Sequence, residues 1–208
     1  MAVTRAEQRA ATRRALLAEG RRRFAEDGYH AVVLADVARA AGVTKGAAYH
    51  HFESKAGLFR AVVAEVQEEL GERVAAAAER HEDPWEQLLA GCRAFLAAGR
   101  DPVVRRIVLV DAPAVLGWDE WRAMDEDASA RHLAQALDTL VASGVIAEQP
   151  VEPLARLLSG AMNEAALWLA RGGDASPQAP ALTERALERL LGGLRAGGGG
   201  GSVAVDGG

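Results

Sequence analysis

The stretch Gly42–Phe59, GVTKGAAYHHFESKAGLF, most narrows what this chain can become. Gly42 ends one helical pattern, as glycine does where the backbone passes to positive φ. Thr44 is placed to cap the next helix by accepting from a backbone N–H two or three residues on. That helix, about Lys45–His51, carries the small residues Gly46, Ala47 and Ala48 and then Tyr49, His50 and His51. Little on it is apolar enough to bury, while donors crowd its outer face. Small side chains permit close approach to a surface, and a lysine, a phenol and imidazoles donate to phosphate oxygens. Ser54 then opens a longer helix. The stretch thus reads as a turn, a very short polar helix, a second turn and the start of a longer helix, and the short helix is the one that looks like a recognition helix for a major groove.

Charge divides the chain at this motif. The net charge of −5 argues by itself against nucleic acid. Residues 1–60, however, hold 11 Lys+Arg against 6 Asp+Glu, while residues 61–208 hold 13 against 23. A basic head on an acidic body is expected of a DNA-contacting domain joined to a regulatory one. Half of the 208 residues are apolar, enough for one or two domains with a real core. No run of about 18 uncharged apolar residues exists to span a membrane, and MAVTRAEQRA does not read as a signal peptide. The single cysteine, Cys92, excludes an internal disulfide and most zinc sites. The expectation is a cytoplasmic protein.

Glycine and proline punctuate the rest. Leu16, Leu17, Gly20 and Phe24 recur at helical spacing within residues 4–27, and Gly28 stops that helix. Arg13, Arg14 and Arg21–Arg23 give it a basic side, either a solvated face or a set of phosphate contacts. A second helix spans Leu34–Ala41, with Leu34, Val37, Ala38 and Ala41 inward. After Ser54, the residues Phe59, Val62, Val63, Val66, Leu70 and Val74 form a stripe ending near Glu79. Pro84, Pro102, Pro153 and Pro177 each stand at a first helical position. They predict helices from Pro84 to Gly99, over Val103–Val110, over Pro153–Arg171 and over Pro177–Leu194. Another is expected over Gly117–Ser143. The glycine-rich end, GGLRAGGGGGSVAVDGG, is expected to be disordered.

The ordered set RFAEDGYH (Arg23–His30), ADVARAAGV (Ala35–Val43) and TKGAAYHHFESKAGLF resembles the TetR-type (TetR/AcrR) transcriptional repressor family over roughly residues 8–62. The resemblance implies an all-α protein with an N-terminal three-helix DNA-binding domain, a long linking helix, and a helical ligand-binding and dimerisation domain. It places Thr44, Lys45, Gly46 and Ala47 at base edges or the groove wall, and Tyr49, His50 and Lys55 on phosphates. Tyr29 matches an aromatic packed between the first two helices. At Val32 and Val33 the sequence departs from the family, which usually has threonine or serine there. The family's residue at Val33 caps the second helix and touches phosphate, and valine does neither. The expected divisions are 1–53 for the reading domain, 54–195 for the body and 196–208 for the tail.

In the body, Trp118, Trp121, Asp125, His132, Ala136 and Leu140 fall on one helical stripe. Faced by Phe95 and Asn163, that stripe reads as a ligand cavity with aromatic walls and few polar anchors, or as a packed core whose acid and imidazole reach solvent. Asn163 is a pocket amide or a satisfied core group. The Pro153–Arg171 helix is apolar on nearly every side and the last helix adds more leucines, so a second subunit is the economical cover. The family dimerises through these helices, and Leu158, Met162, Leu187, Leu190 and Leu191 are the residues expected at that interface.

Catalysis finds little support. No serine sits in a nucleophile elbow, and His50 and His51 point about 100° apart on their helix, unsuited to joint metal binding. Cys92 reads as inert. No metal or cofactor is expected. The reading is a homodimeric, ligand-responsive repressor of a palindromic operator, released by a small, largely apolar effector. The alternatives are a ligand-binding or catalytic helical bundle with a vestigial head, and a DNA binder without effector.

Overall fold

Caps and stops set the helices of the computed structural model, which describes residues 4–172 and 176–196. Thr4 and Glu7 form a reciprocal capping box that opens α1 (Arg5–Asp27), written in the sequence as TRAE. Gly28, at φ +78°, ends it. Then come α2 (Leu34–Ala40), α3 (Lys45–Phe52) and α4 (Lys55–Ala78). Phe24, Tyr29 and Phe59 pack their rings together between α1 and α4, the two α1–α4 centroids 4.9 Å apart and edge-on. Around them Leu16, Leu17, Val37, Ala48 and Leu58 are buried, so the small polar helix α3 is held by only Ala48 and Phe52.

Between α3 and α4 the chain makes a strained turn. Glu53 has φ +59° and ψ −40°, and the Ser54 N–H donates to the Phe52 carbonyl at 2.5 Å. This is the positive-φ γ-turn, rare for a residue with a Cβ. Ser54 Oγ accepts from Gly57 N at 3.0 Å. An acidic residue cannot complete a capping box there, because a Cβ on Gly57 would lie 2.1 Å from the Phe52 carbonyl oxygen.

Every regular element longer than a single bridge in the body's described residues is a helix. The body comprises α5 (Pro84–Ala98), a π-helical segment at Val104–Asp111, α6 (Ala112–Leu116), α7 (Trp118–Asp125), a second π-helical segment at Glu126–Ala130, α8 (Arg131–Ala142), α9 (Val151–Ala170) and α10 (Ala179–Gly192). The expected short helix over Val103–Val110 is present but wound wider, and it runs on through Pro113 to Leu116 instead of stopping, the proline falling in the first turn of α6. The single helix expected over Gly117–Ser143 is correct at both ends and interrupted in the middle. Its five π-helical residues shift the register of everything after them. The C-terminal end is a further correction. Arg195 bridges Ile146, Ala196 N donates to Val145 O at 2.9 Å, and the Arg195 guanidinium lies 4.9 Å over Trp85. The rest of the expected tail, 197–208, lies outside the described residues. No helix among the described residues is long and apolar enough to cross a membrane.

Head and body share α4 and are pinned beside it. Asp111, buried in the body, accepts from Tyr29 N at 2.9 Å and from Arg106 Nε at 3.2 Å. Arg60 on α4 pairs with Glu120 on α7, and Arg21 on α1 donates to Glu69 on α4 at 2.7 Å.

Candidate nucleic-acid interface and ligand cavity

Thr44 fixes the start of α3 by accepting from Ala47 N at 3.2 Å, leaving Lys45 and Gly46 exposed on its first turn. Nothing lies within 4 Å of where a Cβ on Gly46 would sit. A glycine inside a helix is intrinsically unfavourable by roughly 1 kcal/mol relative to alanine, so the fold gains nothing from its small size. Tyr49 is 43 % exposed, and the Lys45 ammonium stands 5.7 Å from its ring centroid. His50 is exposed. His51 is half-buried, and burial first, then the charge of Arg9, hold its imidazole below the ordinary pKa, with His50 and Arg13 adding to the effect.

Lys55 is more engaged than its sequence position implied. Its ammonium donates to the carbonyls of Tyr29 at 3.0 Å and His30 at 3.4 Å, 4.3 Å over the Tyr29 ring. One of its three N–H groups is left for a phosphate. The arginine run of α1 also divides. Arg21, Arg22 and Arg23 are tied to Glu69, to Glu19 and Glu26, and to Glu19. Arg22 first, and Arg23 with it, pull the Glu19 carboxyl down to about 2. Arg13 instead stays exposed, its guanidinium 5.4 Å over the Phe52 ring of α3. Sequence periodicity gave no means of telling Arg13 from its neighbours. Val33 stands at the N-cap of α2 with no side-chain cap and is 54 % exposed, whereas Val32 is buried.

A cavity of about 260 Å³ lies between α4, α5, α9 and the joint of the second π-helical segment with α8. Val74, Leu88, Phe95, Leu133 and Met162 supply its apolar wall, and Ser129, His132 and Ser159 its polar one. Of the expected pocket residues, Phe95 and His132 are on the wall. Asp125 and Asn163 sit one layer behind it. Asp125, 4 % exposed, accepts from Arg122 at 2.9 Å, Ser129 at 3.0 Å, Ser159 at 3.2 Å and Asn163 at 3.0 Å. The carboxylate therefore joins α7, the π-helical segment and α9, and touches the cavity only through two serines. Trp121 is buried but off the wall, its indole N–H without a partner among the described residues. Trp118 is 63 % exposed at the first residue of α7, its ring 5.0 Å from that of Trp121. The stripe fails as a single wall because the π-helical turn rotates His132 roughly 100° away from the line of Trp121 and Asp125.

The expected dimer residues need a like correction. Leu158, Met162 and Leu191 are buried within the chain, Leu187 is half-buried, and only Leu190, 55 % exposed, faces outward. The outward apolar residues of α9 and α10 are instead Leu157, Trp168, Leu182 and Leu190. A helix apolar on all sides does not reveal by periodicity which side faces its own core. Cys92 is on the cavity wall, and burial pushes its thiol up to about 12, so little thiolate forms. Among the described residues no His, Cys, Asp and Glu side chains cluster so as to hold a metal.

These features recur in known proteins. Residues 16–62 match the family of bacterial regulatory proteins called tetR, and residues 85–194 match the tetracyclin repressor-like C-terminal domain. A TetR-family transcriptional regulator from Pectobacterium atrosepticum is 40 % identical, with 93 % of this chain and 98 % of that one aligned at a TM-score of 0.78. The HTH-type transcriptional repressor Rv1474c of Mycobacterium tuberculosis is 40 % identical over 89 residues, 43 % of each protein, so the match spans less than half of that relative. RolR, solved in complex with resorcinol, has the same fold at 17 % identity, with 89 % of this chain and 90 % of that one aligned at a TM-score of 0.70. With both halves matched and a relative aligned over nearly its whole length, this chain belongs to the TetR family of transcriptional regulators.

Proposed function

We propose that this regulator is a repressor that binds a palindromic operator as a homodimer and is released by a small, largely apolar effector. One observation carries the reading. A single helix, α4, supports the reading head at one end and, through Val74, Ala75 and Ala78, forms part of the cavity wall at the other. Whatever displaces that wall tilts the head. Residues 1–53 act as the reading domain and 54–195 as the body. Thr44, Lys45, Gly46 and Ala47 meet base edges, and Tyr49, His50, Lys55 and Arg13 hold phosphates. The outward leucines of α9 and α10, with Trp168, form the dimer face. That the fold accommodates resorcinol in RolR supports a small ligand here. Such a regulator works in the cytoplasm and not as an enzyme.

Release requires that the effector bind the DNA-incompetent arrangement more tightly than the competent one, since equal affinity shifts nothing. About 1.4 kcal/mol of differential binding lowers operator affinity tenfold. The route runs from Ser129 and Ser159 on the cavity wall to Asp125, along α7 to Glu120, and across to Arg60 near the start of α4.

Sequencing DNA fragments captured by the protein should return a two-fold symmetric site. Its affinity should fall with salt at a log–log slope of about −0.9 per neutralised phosphate. Lys45→Ala should change sequence preference, and Tyr49→Ala should weaken all sites alike. Failure to retain any DNA at low salt would overturn the proposal in favour of a ligand-binding bundle with a vestigial head.

A further inference from the structure

A second cavity, of about 470 Å³, lies between the middle of α4 and the junction of α7 with α8. It shares two lining residues, Ala75 and His132, with the first cavity, so the two spaces adjoin there. Its chemistry is different. Glu68, Glu72 and Asp127 stand exposed around it against a single cation, Arg131, and none of the four has an ion pair or side-chain hydrogen bond among the described residues.

A second observation points to an absent partner. Gln67 lines this cavity, is 3 % exposed, and neither its amide nitrogen nor its amide oxygen has a hydrogen-bond partner among the described residues. Leaving a buried donor or acceptor unpaired is disfavoured strongly enough that native folds rarely retain one without a reason. A leucine fills nearly the same volume without that penalty. The amide is therefore explained by something that arrives.

We propose that the second cavity is the head-group compartment of the effector site, and that the effector is a lipophilic amine, protonated at neutral pH. The ammonium lies at the acidic mouth, where Glu68, Glu72 and Asp127 balance its charge, and the Gln67 side chain turns outward on binding so that its amide oxygen accepts from it. The apolar body passes His132 into the first cavity. An apolar cavity of about 150 Å³ holds benzene, so 260 Å³ accommodates a phenylalkyl or small bicyclic body. A head group at the mouth keeps part of its hydration, which a charge buried beside Phe95 and Met162 would lose. The proposal rests on the ligand-responsive reading above and names the class of ligand.

Calorimetry on the full chain without DNA tests it, using 4-phenylbutylamine, 4-phenylbutan-1-ol and 4-phenylbutyrate, which share one apolar body. The amine should bind at least about tenfold tighter than the alcohol, and the carboxylate weakest, because opposite charge attracts and like charge repels. Glu72→Gln and Gln67→Leu should each weaken the amine about tenfold and leave the alcohol unchanged. Gln67→Leu should also melt at a higher temperature than the parent, which separates loss of a ligand contact from loss of the fold. Equal binding of amine and alcohol overturns the head-group compartment but leaves an apolar effector cavity standing. Binding of none of the three overturns the ligand class. If Gln67→Leu keeps full amine affinity, the amide serves only a buried water and the proposal falls. Operator binding, measured separately, decides the repressor reading independently of these outcomes.

Discussion

Gly46 sits on the first turn of α3 with open space where its side chain would be. The fold accepts alanine there, and helix propensity favours it, so Gly46→Ala should raise the unfolding free energy by about 0.5–1 kcal/mol. If a groove wall comes that close, the same change should weaken operator binding, read by fluorescence anisotropy. Equal or tighter binding would remove Gly46 from the interface. Val33 offers the opposite test. It is exposed, in extended backbone, at an N-cap that lacks a side-chain acceptor. Val33→Thr should stabilise the head by roughly 1 kcal/mol, measured by denaturant unfolding, and tighten DNA binding by adding a phosphate donor. Weaker binding would show that the valine methyl groups themselves face the DNA.

Among the elements, α4 depends on charge pairs to hold its neighbours. Arg21 lowers the Glu69 carboxyl below its ordinary value and Arg60 does the same to Glu120, each chiefly through a direct hydrogen bond. Arg22 and Arg23 lower Glu19 within α1. A carboxylate with a depressed folded pKa stabilises the fold above its unfolded value of 4.5, and that contribution is lost as pH falls through the folded value. Glu65 works the other way, its carboxyl raised chiefly by burial, but the lowered acids outnumber it. Melting temperature should therefore hold steady through neutral pH and drop as pH falls from about 4.5 toward 2. Glu120→Gln should flatten part of that drop. A melting temperature unchanged across the acid range would show these surface pairs to be fully screened.

At the scale of the molecule, Leu157, Trp168, Leu182 and Leu190 are apolar side chains left on the outside of α9 and α10. Leu157, 73 % exposed, leaves most of its side chain outside its own core. If the chain dimerises through this face as proposed, Leu157→Arg should keep the helical circular dichroism and melting of the fold while shifting sedimentation from dimer to monomer, because an unpaired charge in an interface is disfavoured by several kcal/mol. Operator affinity should fall by at least about tenfold with the loss of the second half-site. An intact dimer would move the interface off this face. By contrast, arginine at Leu158 would unfold the chain, since that side chain is interior.

Sequence alone determined the reading head, because a short-range code specifies it. The Thr44 and Ser54 caps, the Gly28 and Gly42 stops and the small residues of α3 act within four residues of themselves, and the structure has each where the pattern puts it. It also determined the order of most body helices, but proline marked their starts only at Pro84 and Pro102: α9 begins two residues before Pro153, α10 two residues after Pro177, and the helix from Pro102 continues past Pro113 to Leu116. Only tertiary structure decided which side of each helix does what. A π-helical turn at Glu126–Ala130 carries no compositional mark, yet it turns His132 to the cavity and leaves Asp125 behind it. On α9 every face is apolar, so burial of Leu158 and exposure of Leu157 were settled by what packs alongside. Gln67 carries no local mark either: its burial without an amide partner among the described residues depends on the π-helical segment and α8 packing over α4. Local caps are fixed by covalent neighbours, whereas faces are assigned by contacts distant in sequence, and periodicity records only that a face exists.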